Sequence, residues 1–361
     1  MNLNFKQLTF AREYRGYSQS DLAAHIPGLS QSNLSKFEKG ISTLSDELIN
    51  RVYDFLNFPP SFFDKTISNA VENPHYRKRA TIRKKDINSI ESSIRLLGYM
   101  VDRMNESIEW PEFNLEPLNI EDGYSVQNIA KHARRSLGIM PGEPVKNIIQ
   151  LLESHGIIII EIDHTEKFDG ASIKSDLGFP VIIINKSFSN DRKRRTTAHE
   201  LGHLLMHVLG NFPISDYRND REREKEADLF ASEFLMPEAE IRKALYGLRL
   251  SSLAELKRHW LTSMATILRR AYDLNCIDRE RYTYLNIEMS RMGYKKNEPV
   301  DVFIDKPSVF LKGYELHKNE LEYSDNELVE AFSLPIDVIN KFCRPEIYRP
   351  ETGKGKLRVV A

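Results

Sequence analysis

Between Thr196 and His207 the chain reads TTAHELGHLLMH. His199 and His203 are four residues apart. On a helix they share one face, a turn apart, so both imidazoles can reach a single ion. Glu200 follows the first histidine and can face water at such an ion without competing as a ligand. Water on zinc becomes a nucleophile near neutral pH because the ion stabilises hydroxide. A carboxylate beside it can take the proton and later hand it to a leaving group. Gly202 has no side chain and allows close approach of a neighbouring strand or substrate.

Two histidines are too few, because catalytic zinc usually takes three protein ligands and keeps a position for water. His207 is one further turn along. In a straight helix its Cα would lie roughly 12 Å from that of His199, so it reads as a structural or cleft-edge residue. A better third donor lies in REREKEADLFASEFLMP. Glu224, Ala227, Ala231 and Leu235 fall on one helical stripe with Phe230 and Phe234 beside it. Asp228, a turn beyond Glu224, can accept a hydrogen bond from the far nitrogen of a ligand histidine and fix its ring. Glu222 and Glu226 point to other sides of that helix and read as solvated charges. The competing reading of the whole motif is a plain amphipathic core helix, and metal binding alone does not establish turnover.

Beta-rich runs precede the motif: IIIIEID at 157–163 and FPVIIINK at 179–186, with GASIKSDLG between them as a strand or hairpin. Val181 to Ile184 fits an edge strand that pairs with an extended peptide, and fits a buried strand equally well. The motif helix is expected to start near Asp191, and the second helix to cover about Arg221 to Phe234. The basic run Arg192 to Arg195 reads either as a solvated first turn or as a contact for an acidic partner.

The first sixty residues read as four or five short helices. Ser18 and Asp21 have capping-box spacing, Ser30 can cap SQSNLSKFEKG, and Gly40 ends it. Leu22, Ile26, Leu29, Leu34 and Phe37 supply a core. Gln31, Ser32, Asn33, Ser35 and Lys36 are left polar. Gln and Asn can make paired hydrogen bonds to adenine from a helix in the major groove. Gln19 is placed to meet a phosphate. Charge argues against strong binding by this segment alone: Lys6, Arg12, Arg15, Lys36, Lys39 and Arg51 are matched one for one by Glu13, Asp21, Glu38, Asp46, Glu47 and Asp54. The run HYRKRATIRKK from His75 to Lys85 reads either as a solvated linker or as a further phosphate contact. LAELKRHWLTSMATILRRA and NELVEAFSLPIDVINKF also have helix–turn–helix form, but lack a comparable polar face and read as scaffold.

The formal net charge is -1, with 29% charged and 41% hydrophobic residues, an ordinary soluble balance. The two cysteines are far apart, which argues against a disulfide scaffold and suits a reducing cytoplasm. No stretch has the apolar length of a signal peptide core or a membrane span.

LTFAREYRGYSQSDLAAHI, SQSNLSKFEKG and LSDELINRVYDFLNFPPSFF together resemble the XRE-type helix–turn–helix domain. TTAHELGHLLMH followed by EKEADLFASEFLMP resembles the ImmA/IrrE metallopeptidase family, and LAELKRHWLTSMATILRRAYDL is similar to that family's downstream segment. The resemblance implies a zincin-like α+β centre. It carries zinc ligation onto His199, His203 and Glu224 and catalysis onto Glu200, with Asp228 at a position often Asn or Asp. Members are bacterial or phage regulators, several of which relieve repression by cleaving a repressor.

The expectation is a multidomain chain: an all-α helix–turn–helix domain at 1–66, a basic linker and helical connector at 67–125, a metallopeptidase domain at 126–285, and a mostly helical extension at 286–361. Expected partners are Zn2+, double-stranded operator DNA, a repressor or other protein substrate, and a second copy of the chain, with no membrane and a cytoplasmic setting. The alternative is a non-enzymatic transcription factor with a structural or sensory metal site, including service in a toxin–antitoxin or phage regulatory system.

Overall fold

Side-chain caps set the helix starts near the N-terminus. In the computed structural model, which describes residues 4–65, 67, 84–163, 168–210 and 220–344, Asn4 caps α1 (Phe5–Tyr14). Ser18 and Asp21 close a capping box on α2 (Gln19–His25), and Ser30 caps α3 (Gln31–Glu38). Ser45 starts α4 (Asp46–Leu56), and Pro60 opens the short α5 (Pro60–Phe63). Leu8, Leu22, Leu34, Val52, Leu56 and Phe62 close the core between them. The basic run at 75–85 falls outside the described residues, save for the backbone of its last two.

The chain divides into two compact units: Met1–Thr66 with Tyr314–Ala361, and Ile67–Gly313. Among the described residues, the second unit holds first the long α6 (Lys84–Met104), then α7 (Val126–Ser136) and α8 (Ile148–Glu153). Three strands follow: β1 (Ile158–Ile162), β2 (Gly170–Lys174) and β3 (Pro180–Asn185). Their spatial order is β1-β3-β2. β3 runs parallel to β1, with Ile160 opposite Ile183, and antiparallel to β2, with Ser172 opposite Ile182.

β3 is therefore the middle strand, buried along its length and paired on both edges. This corrects the edge-strand reading of Val181 to Ile184. A peptide cannot add to a strand whose two ladders are already filled. Alternation along the strands sends Ile159, Ile182 and Ile184 into the core that also holds Leu201, Leu204, Leu205, Phe230 and Phe234.

α9 (Asn190–His203) lies on this sheet and passes into a π-helical turn over Leu204–Val208. α10 (Asp220–Leu235) packs on α9. Then come α11 (Glu238–Leu245), α12 (Leu250–Trp260), α13 (Met264–Asp273) and α14 (Arg279–Arg291). The segment from 298 to 309 is tied back by three carboxylates, of which Glu153 is buried. Glu298 accepts from the Met264 amide and pairs with Lys257, Asp305 accepts from the amides that open α8, and Glu153 accepts from the Ser308 and Val309 amides at the start of α15 (Val309–Glu315). Residues 301–304 form no strand, although Val302 and Ile304 are buried.

The C-terminal part of the first unit contains α16 (Asp325–Phe332) and α17 (Ile336–Cys343). Asp337 pairs with Arg15, and Lys341 lies 4.8 Å from the centre of the Tyr14 ring. No helix of the described residues is long and apolar enough to cross a membrane.

Candidate metal centre

α10 brings Glu224 to the two histidines of α9. His199 Nε2 and His203 Nε2 are 3.0 Å apart, and Glu224 places one carboxylate oxygen 3.5 Å from each. A tetrahedral ion with bonds of about 2.0–2.1 Å spaces its donors by roughly 3.3 Å. The three donors thus fit a zinc-sized ion. The described residues contain no other cluster of three His, Cys, Asp or Glu donors so arranged. His199 and His203 are buried, while Glu224 is 28% exposed in its side chain.

Packing explains the close approach of the helices. A Cβ on Gly202 would meet the Phe230 side chain at 3.0–3.1 Å. A bare glycine on α9 therefore lets α10 come near enough for Glu224 to reach across.

Asp228 accepts from His199 Nδ1 at 3.1 Å, which leaves the Nε2 lone pair facing the other donors. Arg195 donates to the same Asp228 oxygen at 2.8 Å. Burial alone would lower the His199 pKa, but hydrogen bonds to Asp228 and Glu224, with Glu200 nearby, lift it to about 9 in the metal-free site. An ion must displace that proton to bind.

Glu200 is 1% exposed and accepts a hydrogen bond from the Ser172 hydroxyl at 2.8 Å. Burial pushes its carboxyl up to about 8, against the opposing pull of His199 and Ser172. Ser172 was not singled out from sequence. The signal available was alternation along β2, which puts Ser172 on the same face as its partner Ile182 in β3.

His207 has a structural setting beside the centre: its Nδ1 lies 3.0 Å from His203 Nδ1, and its Nε2 lies 2.9 Å from Glu226. Two other expectations around the centre need correction. Glu226 is accordingly no solvated charge; its side chain is 19% exposed and engaged. Nor is the run Arg192 to Arg195 a solvated turn or a free basic patch. Arg192 pairs with Asp169 and stacks on Phe188, Lys193 pairs with Glu161, and Arg195 pairs with Asp228. Arg194 is fully buried and donates to the carbonyls of Val145, Lys146 and Leu261.

In the N-terminal unit, Gln31, Ser32, Asn33 and Lys36 are exposed along α3, and Ser35 is half-buried. Gln19 lies at the start of α2 with its amide committed within the unit. It donates to Glu38 at 2.6 Å and accepts from Gln31 at 3.0 Å, while Arg12 clasps Glu38 from the other side. The network fixes Gln31 against α2.

A three-donor cluster on a helix pair beside a small sheet, with a buried carboxylate next to it, is compatible with a metallopeptidase-like domain. A family model described as the IrrE N-terminal-like domain (Peptidase_M78) matches residues 152–272. That stretch holds β1–β3, α9 and α10 and supports the ImmA/IrrE resemblance there; it covers neither the N-terminal helices nor the C-terminal segment. No curated protein matches the chain.

Proposed function

We propose that the chain is a DNA-binding transcriptional regulator whose central region is a zinc-dependent endopeptidase acting on a partner regulatory protein. The observation that carries the peptidase half is the convergence of His199, His203 and Glu224 within 4.8 Å of one another, with Glu200 beside them. A zinc ion held there would supply a nucleophile from water at neutral pH and polarise a peptide carbonyl.

The remaining work falls to side chains. Asp228 holds His199 in the tautomer that offers Nε2. Ser172 orients Glu200 by donating to one oxygen, which leaves the other to take a proton and return it to the leaving amine. Glu200 has no part in holding the ion, and a structural site has no need of it. The DNA half rests on the exposed polar face of α3, with Gln31 and Asn33 suited to base edges and Lys36 to phosphate. Operator duplex and a second copy of the chain are its proposed partners.

The burial of Glu200 and His203 favours one other reading, a sensory or structural metal site in a non-enzymatic regulator. Cells carrying wild type, Glu200→Gln or His199→Ala separate the two. Under the peptidase reading, Glu200→Gln retains zinc and DNA occupancy but loses regulation, as His199→Ala does. Wild-type regulation by Glu200→Gln, with loss in His199→Ala, supports the sensory reading instead. For the DNA half, selection from a random duplex pool is expected to yield a preferred site. Asn33→Ala should relax its sequence preference at a cost of about 1–3 kcal/mol, and Lys36→Ala should weaken all duplexes alike and reduce the salt slope by about 1. A wild-type chain that enriches no duplex contradicts this half.

A further inference from the structure

We infer that His207 and Glu226 form a positioning relay for the metal ligand His203, so that a carboxylate governs each histidine of the centre: Asp228 directly on His199, and Glu226 through His207 on His203. The inference rests on the metal-centre reading above and extends it to residues outside the donor cluster.

Proton bookkeeping fixes the direction of the chain. A neutral imidazole carries one N–H and one lone pair. If His203 offers its Nε2 lone pair beside His199 and Glu224, its Nδ1 must carry the proton. That Nδ1 lies 3.0 Å from His207 Nδ1, so His203 donates and His207 accepts. With its Nδ1 lone pair in use, neutral His207 must carry its proton on Nε2, which lies 2.9 Å from a Glu226 oxygen. Each of these two hydrogen bonds then has one donor and one acceptor, and the pair ends on a carboxylate. Reversing any link would put the His203 proton on Nε2, against His199 and away from the carboxylate that should collect it.

Local structure supports the arrangement. His207 lies in the π-helical turn at Leu204–Val208, immediately after α9 ends at His203. Such turns widen a helix by one residue and recur at functional sites. The rings of His203 and His207 sit 5.2 Å apart at 52°, an angle suited to a nitrogen-to-nitrogen hydrogen bond rather than to stacking. The His203 side chain has no exposure and that of His207 only 5%, so water does not compete freely for either link. Glu226 and Glu224 are two residues apart on α10, and so face different sides of it: Glu224 meets the donor cluster while Glu226 meets the relay.

Zinc affinity measured by competition with a chromophoric chelator tests the relay without any activity assay. Outer partners of histidine ligands typically contribute about 10- to 100-fold in metal affinity. Glu226→Gln and His207→Ala should each lower zinc affinity by about tenfold or more. His207→Gln, whose amide oxygen can still accept from His203, should recover part of the His207→Ala loss. Because the two residues act in series, Glu226→Gln should cost nothing further in the His207→Ala background. Thermal unfolding of the metal-free proteins keeps a general loss of structure separate from a loss of affinity. Wild-type protein that takes up no zinc overturns the metal-centre reading and the relay with it. Zinc-binding wild type with unchanged affinity in the variants, additive losses in the double variant, or losses explained by unfolding overturns the relay alone.

Discussion

Glu224 is the residue on which the two central helices depend for a common purpose, since α9 alone supplies only two donors. Its reach is set by Gly202. Adding a methyl there forces Phe230 to give way and pushes α10 outward. Gly202→Ala is expected to cost about 1–3 kcal/mol of stability, as overpacked core positions do, and to weaken zinc binding as well. Chemical denaturation with and without zinc reads both effects; an unchanged midpoint and unchanged affinity would show that the helices do not need the bare position. At this scale the sequence is informative where one period governs. Four-residue spacing places His199 and His203 on one face, and the stripe through Ala227 and Ala231 points Glu224 inward. His207 and Glu226 escape such reasoning. Their partnership depends on two helices and a π-helical turn: four-residue spacing brings His207 to His203, but Glu226 comes from the other helix and lies off the face that carries Glu224.

The elements are held by charges that the sequence shows only as a cluster. Arg192 to Arg195 looks like one basic patch, yet a helix turns about 100° per residue, so the four side chains leave in different directions and find different partners. Arg194 links α9 to the segment before α8 and to the end of α12 through three carbonyls. Arg194→Met should leave those carbonyls without a donor and destabilise the central unit by about 1–3 kcal/mol per unsatisfied group. Urea unfolding followed by tryptophan fluorescence checks it, and a neutral substitution would mean that the carbonyls find other donors. Strand composition announced β1 and β3, but not their order. Apolar runs that are buried on both faces look alike at an edge and in the middle of a sheet, so the central place of β3 came only with the pairing.

At the scale of the whole molecule, the N-terminal helices share a unit with residues beyond 313, an association that no local pattern announces because it joins sequence-distant segments. Lys341 carries a consequence. Burial, with Arg15 nearby, lowers its pKa from the usual 10.5 to about 8, and Asp337 offsets only part of that. A lysine with a lowered folded-state pKa penalises folding most fully below the lower value, where the buried group must be charged. The penalty is relieved as pH rises from about 8 towards 10.5, because over that window the unfolded chain binds more protons. The midpoint of this unit in wild type should therefore rise over that window relative to Lys341→Met, which should also be the more stable of the two at neutral pH. Parallel pH profiles for the two proteins would contradict the assignment. The capped helices and buried positions of α2 and α3 follow from sequence signals of short range, whereas the setting of Gln19 within the Arg12–Glu38 network does not, since it needs three helices at once.

The central claim is that one ion is shared between α9 and α10. Anomalous diffraction at the zinc edge from zinc-soaked crystals tests it most directly. A single strong peak within bonding distance of His199 Nε2, His203 Nε2 and a Glu224 oxygen, with one coordination position left for solvent, is the expected result. A peak elsewhere, Glu224 turned away from it, or four protein ligands closing the ion off would contradict a hydrolytic centre at this place.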